Sequence, residues 1–234
     1  MTTKGYNHHR YENRRRILRF LLRWIGFTIL VKQERVEGLE NVPAQGPAIL
    51  MINHIAFVDP IVVMHMLPRN IVPMAKVEVY NYPLVGIFPR IWGVIPVRRE
   101  EFDRRAIQDA LEVLQAGEII LVAPEAHRGP ALQQAKEGVA YLATRSGAPI
   151  VPVAMEGTEG YPTLPFLARW RGPGVQVRFG RPFRFRVDNS RPDRERLSKM
   201  TKEAMYALAA LLPEERRGVY SDLSQATQDT IEWL

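Results

Sequence analysis

The hydrophobic positions of this chain fall into two kinds of segment. Short runs of apolar or alternating residues are typical of strands, and they occupy residues 34–39, 48–52, 71–75, 91–97, 118–123, 149–155, 175–179 and 183–187. Segments whose apolar residues recur at helical spacing occupy residues 60–66, 104–115, 138–144 and 192–212. Because the two kinds alternate, the sequence predicts an α/β fold whose central sheet, mostly parallel or mixed, is flanked by helices.

The N-terminal region combines arginines with a long apolar run. Residues 17–31 form a run of 15 residues, interrupted by Arg19 and Arg23; as a helix it is about 22 Å long, which is shorter than a bilayer core of about 30 Å. On a helical projection Arg15, Arg19 and Arg23 share one stripe. Residues 14–31 therefore predict an amphipathic helix lying on a membrane, with its arginines toward anionic headgroups. A core-packing helix, a signal peptide and a membrane span also fit this run.

The net charge of the chain lies in the same region. Residues 1–35 hold nine basic and two acidic residues, whereas the remaining residues hold 23 of each. A neutral body argues against nucleic acid as a partner, because nucleic-acid-binding domains usually carry their charge on the folded module. We expect residues 1–32 to form a basic arm that associates with the membrane, and residues 33–234 to form the α/β domain. The expected location is the cytoplasmic face of a membrane, as a peripheral or monotopic protein.

Candidate chemistry begins directly after the apolar run 48–52, with the sequence Asn-His-x4-Asp. Open α/β sheets place ligands at the carboxyl ends of their strands. If the chain turns there, Asp59 accepts the Nδ1–H of His54 and leaves Nε2 free to act as a base. A structural histidine in a loop would show the same pattern.

Two further strand ends carry residues suited to oxyanions. Arg98 and Arg99 follow one strand, and Glu125 and Arg128 follow another. A guanidinium binds phosphate through two parallel hydrogen bonds, and Glu125 is suited to a hydroxyl group. The chain has no cysteine, and it contains no His-Glu-x-x-His, P-loop or Gly-x-Ser-x-Gly motif. We therefore expect no metal site, no cofactor and no cysteine nucleophile.

Four elements in this order resemble the motifs of the glycerolipid acyltransferase family. The matching residues are Asn53, His54 and Asp59 in the first motif, Gly93 and Arg99 in the second, Pro124, Glu125 and Arg128 in the third, and Pro152 in the fourth, with Lys76 in a Lys-x-Glu element between the first two. Each motif alone is loose, whereas all four at these spacings are specific. The resemblance covers about residues 33–185, and the later stretch Leu-Leu-Pro-Glu-Glu-Arg-Arg-Gly-Val-Tyr at residues 211–220 also resembles the family. It implies a single acyltransferase domain.

The resemblance also implies an activity. It is the transfer of a fatty acyl group from acyl-coenzyme A or acyl carrier protein to the sn-2 hydroxyl of lysophosphatidic acid, which gives phosphatidic acid in phospholipid biosynthesis. It implies His54 as the base and Asp59 as its orienter. The implied substrate-binding residues are Asn53, Lys76, Gly93, Arg99, Pro124, Glu125, Arg128 and Pro152. The acyl thioester is a co-substrate, so no cofactor is implied.

The third motif departs from the family pattern Phe-Pro-Glu-Gly-Thr-Arg-Ser. The departures are Ala123, Ala126, His127 and Gly129. They leave open a different lysolipid acceptor, or a lipid-binding module that no longer turns over. Two further candidates are a nucleic-acid binder and a metal-dependent hydrolase that uses His54, Asp59, Glu125 and His127.

Overall fold

A computed structural model describes residues 7–22, 31–83, 86–98, 103–164, 167–187 and 192–234. Its strands are β1 (Gln33–Glu37), β2 (Ala48–Ile52), β3 (Ile71–Lys76), β4 (Ile95–Val97), β5 (Ile119–Val122), β6 (Ile150–Glu156), β7 (Val175–Phe179), β8 (Phe183–Phe185) and β9 (Ile231–Trp233). Its α-helices are α1 (Glu12–Leu21), α2 (Asp59–Met66), α3 (Ile87–Trp92), α4 (Arg104–Gln115), α5 (Gly138–Ser146), α6 (Ala168–Arg171) and α7 (Arg194–Ala209). Short 3-10 turns connect several of these elements.

The strands form one mixed sheet in the order β1-β7-β6-β2-β5-β3-β4. The strands from β6 through β2, β5 and β3 to β4 are parallel to their neighbours. Strand β7 is antiparallel to β6 and parallel to β1. Strand β8 pairs with β6 and β9, both antiparallel. The predicted α/β class and mixed sheet are confirmed.

The central strand β2 shows why the strands of this sheet are continuous apolar runs in the sequence. Ile49 and Met51 face a core shared with α4, α5 and α7. Ala48, Leu50 and Ile52 face a second core shared with α1, α2 and α3. Both faces are covered by helices, so every position of β2 is buried and none needs to be polar.

One predicted strand is wrong in its first half. Residues 91–97 do not form a single strand, because Ile91 and Trp92 belong to α3 and β4 begins only at Ile95. Trp92 is buried, and its indole Nε1 donates to the carbonyl of Ile71 at 2.8 Å. Gly93 ends the helix in the left-handed region, with φ of 73°. A short apolar run does not by itself distinguish a strand from a buried helix.

The basic stripe of α1 faces the protein rather than a membrane. Arg15 is fully buried; its Nε donates to the carbonyl of Trp92 at 2.7 Å and its second terminal nitrogen to that of Gly93 at 3.1 Å. Arg19 donates to the side chain of Asn70 at 3.0 Å. The predicted orientation of these two arginines is therefore wrong. The unpaired carbonyls at the end of α3 attract a cation, and Arg15 satisfies them.

This orientation leaves apolar side chains of α1 on the outside. Ile17, Phe20 and Leu21 are exposed, while Leu18 and Leu22 pack against the second core. Arg23 lies outside the described residues. No helix in the described part of the chain has both the length and the apolar character needed to cross a bilayer. The boundary between arm and domain at residue 32 stays a prediction.

Replacing Arg15 tests whether this docking stabilises the fold. We expect Arg15→Met to lower the free energy of unfolding by about 2–4 kcal/mol, because two buried carbonyls lose their donors. Urea denaturation measures the loss. The neighbouring Arg16 is exposed, so Arg16→Met should change stability by less than about 0.5 kcal/mol. Equal effects of the two variants would contradict the anchoring role of Arg15.

Candidate active site

His54 and Asp59 form a hydrogen-bonded pair at the carboxyl end of β2. The Nδ1 of His54 lies 3.0 Å from Oδ2 of Asp59. The same oxygen accepts the backbone N–H groups of Ile55 at 2.7 Å and Ala56 at 2.8 Å. An ionised carboxylate only accepts hydrogen bonds, so the proton of His54 is placed on Nδ1 and Nε2 keeps its lone pair. The pair has the form of a base and its orienter.

Asp59 is fully buried at the first turn of α2. Its second oxygen, Oδ1, has no hydrogen-bond partner among the described residues. Among the described residues, the groups that bind this carboxylate are the two loop amides and the imidazole of His54. A carboxylate in this position orients the imidazole, as in a catalytic triad.

Asn53 ties the end of β2 to the neighbouring strand β6. Its side-chain amide donates to the carbonyl of Met155 at 3.0 Å, and its side-chain oxygen accepts the backbone N–H of Met155 at 2.8 Å. The residue is buried. The structure therefore places the polar atoms of Asn53 on the protein backbone, where they fix the start of the loop that carries His54.

Glu125 holds the backbone of His54 from the next strand. One carboxyl oxygen accepts the N–H of His54 at 3.1 Å, and the other accepts the N–H of Gln133 at 2.9 Å. The N–H of Gly129 in turn donates to the carbonyl of His54 at 2.9 Å. The loop between β5 and α5 (residues 123–137, here called the β5–α5 loop) thus forms hydrogen bonds with both the backbone N–H and the backbone carbonyl of His54.

Burial raises the pKa of Glu125 from its ordinary value of 4.5 to about 7. The hydrogen bonds from Gln133 and His54 favour the charged form and oppose this shift, while the nearby charge of Asp59 adds to it. Glu125 is only 4% exposed. Both of its carboxyl oxygens accept backbone N–H groups, so Glu125 connects the backbone of His54 to the β5–α5 loop.

His54 lines a cavity of about 1060 Å³. Buried apolar side chains form much of its wall, among them Ile52, Met64, Ala106, Leu121, Val139 and Leu142. Basic side chains also line it, namely Lys76, Arg98, Arg128, Lys136 and Arg194 together with His127, and they outnumber the acidic Asp103 and Glu137 in the same lining. A wide apolar cavity with a few polar groups is typical of a site for an organic ligand, and these polar groups favour an anionic one.

The remaining predicted residues are spread over three places. Lys76, Pro124 and Arg128 line the cavity with His54. Gly93 lies against α1, where an added Cβ would come within 2.5 Å of the Tyr11 ring. Pro152 is buried within β6, and its carbonyl accepts the N–H of Gly180. Arg99 lies outside the described residues, although the adjacent Arg98 lines the cavity.

Sequence reasoning missed the contributions that the backbone makes. Gln133 and Gly129 act through their N–H groups, which every residue except proline supplies, so no residue type marks them. Arg194 and Leu197 reach the cavity from α7, far along the chain. Within the described ranges, no three His, Cys, Asp or Glu side chains cluster as metal ligands.

Ala126 shows how the altered third motif keeps its turn. Its φ is 62°, in the left-handed region that glycine adopts without penalty. The family pattern has glycine at this position. An alanine there costs about 1 kcal/mol, and the surrounding hydrogen bonds of the β5–α5 loop retain the conformation. The departure at Ala126 therefore leaves the backbone of the motif in place.

The raised pKa of Glu125 predicts a pH dependence of stability. Between pH 4.5 and 7 the folded protein keeps a proton on Glu125 that the unfolded chain has lost, so this contribution to stability falls as the pH rises through that window. From pH 5 to pH 8, the free energy of unfolding of the wild type should fall by about 2 kcal/mol more than that of Glu125→Gln. Urea denaturation at the two pH values measures the difference. Parallel pH profiles of the two proteins would contradict the assignment.

Comparisons with known proteins agree with this arrangement. The family model for acyltransferases matches residues 33–156, which is more than half of the chain. A 1-acyl-sn-glycerol-3-phosphate acyltransferase of Bacillus subtilis is 28% identical over 72% of this chain and 82% of its own length. An enzyme of the same name from Borreliella burgdorferi is 32% identical over 54% of this chain. The match spans 52%, about half, of the length of that relative.

A solved structure shares the fold. The 1-acyl-sn-glycerophosphate acyltransferase of Thermotoga maritima matches with a TM-score of 0.57, covering 93% of this chain and 80% of that one at 22% identity. At this identity the likeness shows the fold alone. The family match runs from β1 to β6 and includes both His54 and Asp59. This chain belongs to the acyltransferase family.

Proposed function

We propose that this protein transfers a fatty acyl group from an acyl thioester to the sn-2 hydroxyl of lysophosphatidic acid. The observation that carries the proposal is the His54–Asp59 pair, which opens onto a large apolar cavity lined by cations. The relatives from Bacillus subtilis and Borreliella burgdorferi are named 1-acyl-sn-glycerol-3-phosphate acyltransferases, which supports the same reaction. We expect the acyl donor to be acyl-coenzyme A or acylated acyl carrier protein.

The chemistry needs a base at the acceptor hydroxyl. His54 Nε2 removes the hydroxyl proton while the oxygen attacks the thioester carbonyl. Asp59 stabilises the imidazolium that forms. When the tetrahedral intermediate collapses, the carbon–sulfur bond breaks, and the imidazolium returns the proton to the leaving thiolate. The chain contains no cysteine that could carry the acyl group, which supports direct transfer between the two substrates.

Substrate binding follows from the two kinds of cavity wall. The apolar wall suits an acyl chain, because burying each methylene contributes about 0.8 kcal/mol. Lys76 and Arg128 suit the phosphate of the acceptor. His127 lines the same cavity where the family pattern has threonine. This substitution favours a second candidate, the same reaction on a lysolipid with another headgroup.

Access to an insoluble acceptor requires contact with a membrane. We place this contact on the outer face of α1, formed by Ile17, Phe20 and Leu21 with Arg14 and Arg16 exposed beside them. Apolar side chains next to arginines are typical of helices that lie in the interface of an anionic membrane. The cytoplasmic leaflet, which carries anionic lipids, is the expected location.

Replacing His54 tests the proposed base. We expect His54→Ala to lower kcat by at least about 1000-fold while the protein stays folded, since general base catalysis and its orientation are lost. The assay measures free thiol and diacyl product in detergent micelles. The acyl donors are acyl-coenzyme A and then acylated acyl carrier protein. Each donor is tested in parallel with lysophosphatidic acid, lysophosphatidylcholine and lysophosphatidylethanolamine as acceptors. The control is His9→Ala, since His9 is exposed and distant in sequence from the motif.

The outcomes separate the candidates. Turnover of lysophosphatidic acid alone supports the proposed acceptor. Turnover of another lysolipid alone would indicate that His127 and its neighbours select a different acceptor headgroup. A His54→Ala variant that retains the wild-type rate would contradict the role of the base. No turnover by the wild type with any donor and acceptor would favour a lipid-binding module.

A charge on the outer face of α1 tests membrane binding. Phe20 is 62% exposed, so Phe20→Glu should fold normally but bind vesicles containing anionic phospholipid about tenfold more weakly. Sedimentation with the vesicles measures the binding. Val219→Glu is the matched control, because Val219 is 65% exposed and lies near the other end of the chain. Equal affinities of the two variants would place the membrane contact elsewhere.

A further inference from the structure

The chain after α7 forms hydrogen bonds with the β5–α5 loop. Residues 214–220, here called the tail turns, contain two 3-10 turns. The carbonyl of Arg216 accepts the N–H of Leu132 at 2.9 Å, and the N–H of Val219 donates to the carbonyl of Leu132 at 3.2 Å. The hydroxyl of Tyr220 accepts the N–H of Ala135 at 3.3 Å. The tail turns therefore bind the loop mainly through its backbone.

Two features hold the tail turns firmly in place. The guanidinium of Arg216 donates to the carbonyl of Pro130 at 2.8 Å and pairs with Glu159 at 2.6 Å. Tyr220 is buried, and its ring contacts that of Tyr206 in α7 edge to face, with 5.4 Å between the centroids. The contacts with Glu159 and Tyr206, which lie outside the β5–α5 loop, therefore fix the tail turns, and the tail turns can act as a support for the loop.

The approach of the two backbones is close at Gly218. Its φ is 52°, and an added Cβ would lie only 2.0 Å from the carbonyl oxygen of Leu132. A side chain at residue 218 would therefore push the β5–α5 loop away from the tail turns. The contact is specific to glycine, for both the conformation and the space.

A short path leads from this contact to the catalytic base. Gln133 follows Leu132 and donates to Glu125, whose other oxygen accepts the N–H of His54. Gly129, on the other side of Leu132, donates to the carbonyl of His54. Residues 123–137 contain no helix or strand, so the position of this loop depends on the groups that bind it from outside.

We propose that the tail turns position His54 by holding the β5–α5 loop, and that Gly218 and Tyr220 are positioning residues for the acyl transfer. The tail turns lie outside the region 33–156 that matches the family. The rate effects expected here rest on the proposed function, whereas the contacts themselves do not. A displacement of the base by a fraction of an ångström lowers kcat because the attack geometry is lost.

Gly218→Ala and Gly147→Ala form the matched pair that tests this proposal, because both glycines have a positive φ, whereas an added Cβ at Gly147 would meet no other atom within 4 Å. We expect Gly218→Ala to lower kcat by about 10- to 100-fold with the KM for the acyl donor unchanged, and Gly147→Ala to match the wild type. In the Glu125→Gln background the loss caused by Gly218→Ala should shrink, because both changes act on the same path. Additive losses of kcat, or a loss equal in both members of the pair, would overturn the proposal.

Hydrogen exchange gives a readout that needs no turnover. In Gly218→Ala, and in the milder Tyr220→Phe, the backbone amides of His54 and Gln133 should exchange faster, while the amides of β2 and β6 stay protected. Unchanged exchange at His54 and Gln133 in both variants would overturn the proposal, as would faster exchange with an unchanged kcat. If the wild type transfers no acyl group, the proposed function fails, and the exchange rates alone then decide whether the tail turns position His54.

Discussion

Asp59 carries a carboxylate in a place that water does not reach, and a buried carboxylate is tolerated only where donors surround it. Its donors are the N–H groups of Ile55 and Ala56 and the imidazole of His54. The chain between β2 and α2 must therefore curl over the start of the helix, and that curl brings His54 to the cavity. The buried charge determines both the shape of the loop and the tautomer of the base.

The rest of the site is held by side chains that bind backbone atoms. Asn53 ties the end of β2 to β6, and Glu125 links His54 to the β5–α5 loop. Because the partners are N–H and carbonyl groups, their side chains can vary without loss of the geometry. Ala126 illustrates this freedom, since the turn keeps its left-handed conformation with alanine where the family pattern has glycine.

The N-terminal helix depends on a similar principle. The carbonyls that end α3 need donors, and a buried guanidinium supplies several at once. Arg15 is therefore directed into the protein, and Ile17 and Phe20 are left on the outer surface. Part of the basic charge that predicts a membrane contact is therefore buried inside the fold. The exposed apolar side chains of α1 are the better support for that contact.

Elements and contacts that depend on neighbours along the chain can be predicted from the amino-acid sequence alone. Strand β2, which is buried on both faces, is visible as a continuous apolar run, and β7, in which buried and partly exposed residues alternate, is visible as an alternating run. Helix α4 is visible from its periodicity, and the structure adds the cap, in which the side chain of Asp103 accepts the N–H of Ala106. The His54–Asp59 pair spans only five positions, so one local turn is enough to form it.

The partners of polar groups that lie far apart in the sequence become known only from the fold. The carboxyl oxygens of Glu125 accept the N–H groups of His54, 71 positions away, and of Gln133. The division of residues 91–97 between a helix and a strand depends on the burial of Trp92, and the contact of the tail turns with the β5–α5 loop joins two backbones that are distant in the sequence. The physical reason is the same in each case: periodicity and local hydrogen bonds are set by adjacent residues, whereas the choice of a buried donor or acceptor depends on which distant segments the sheet brings within reach.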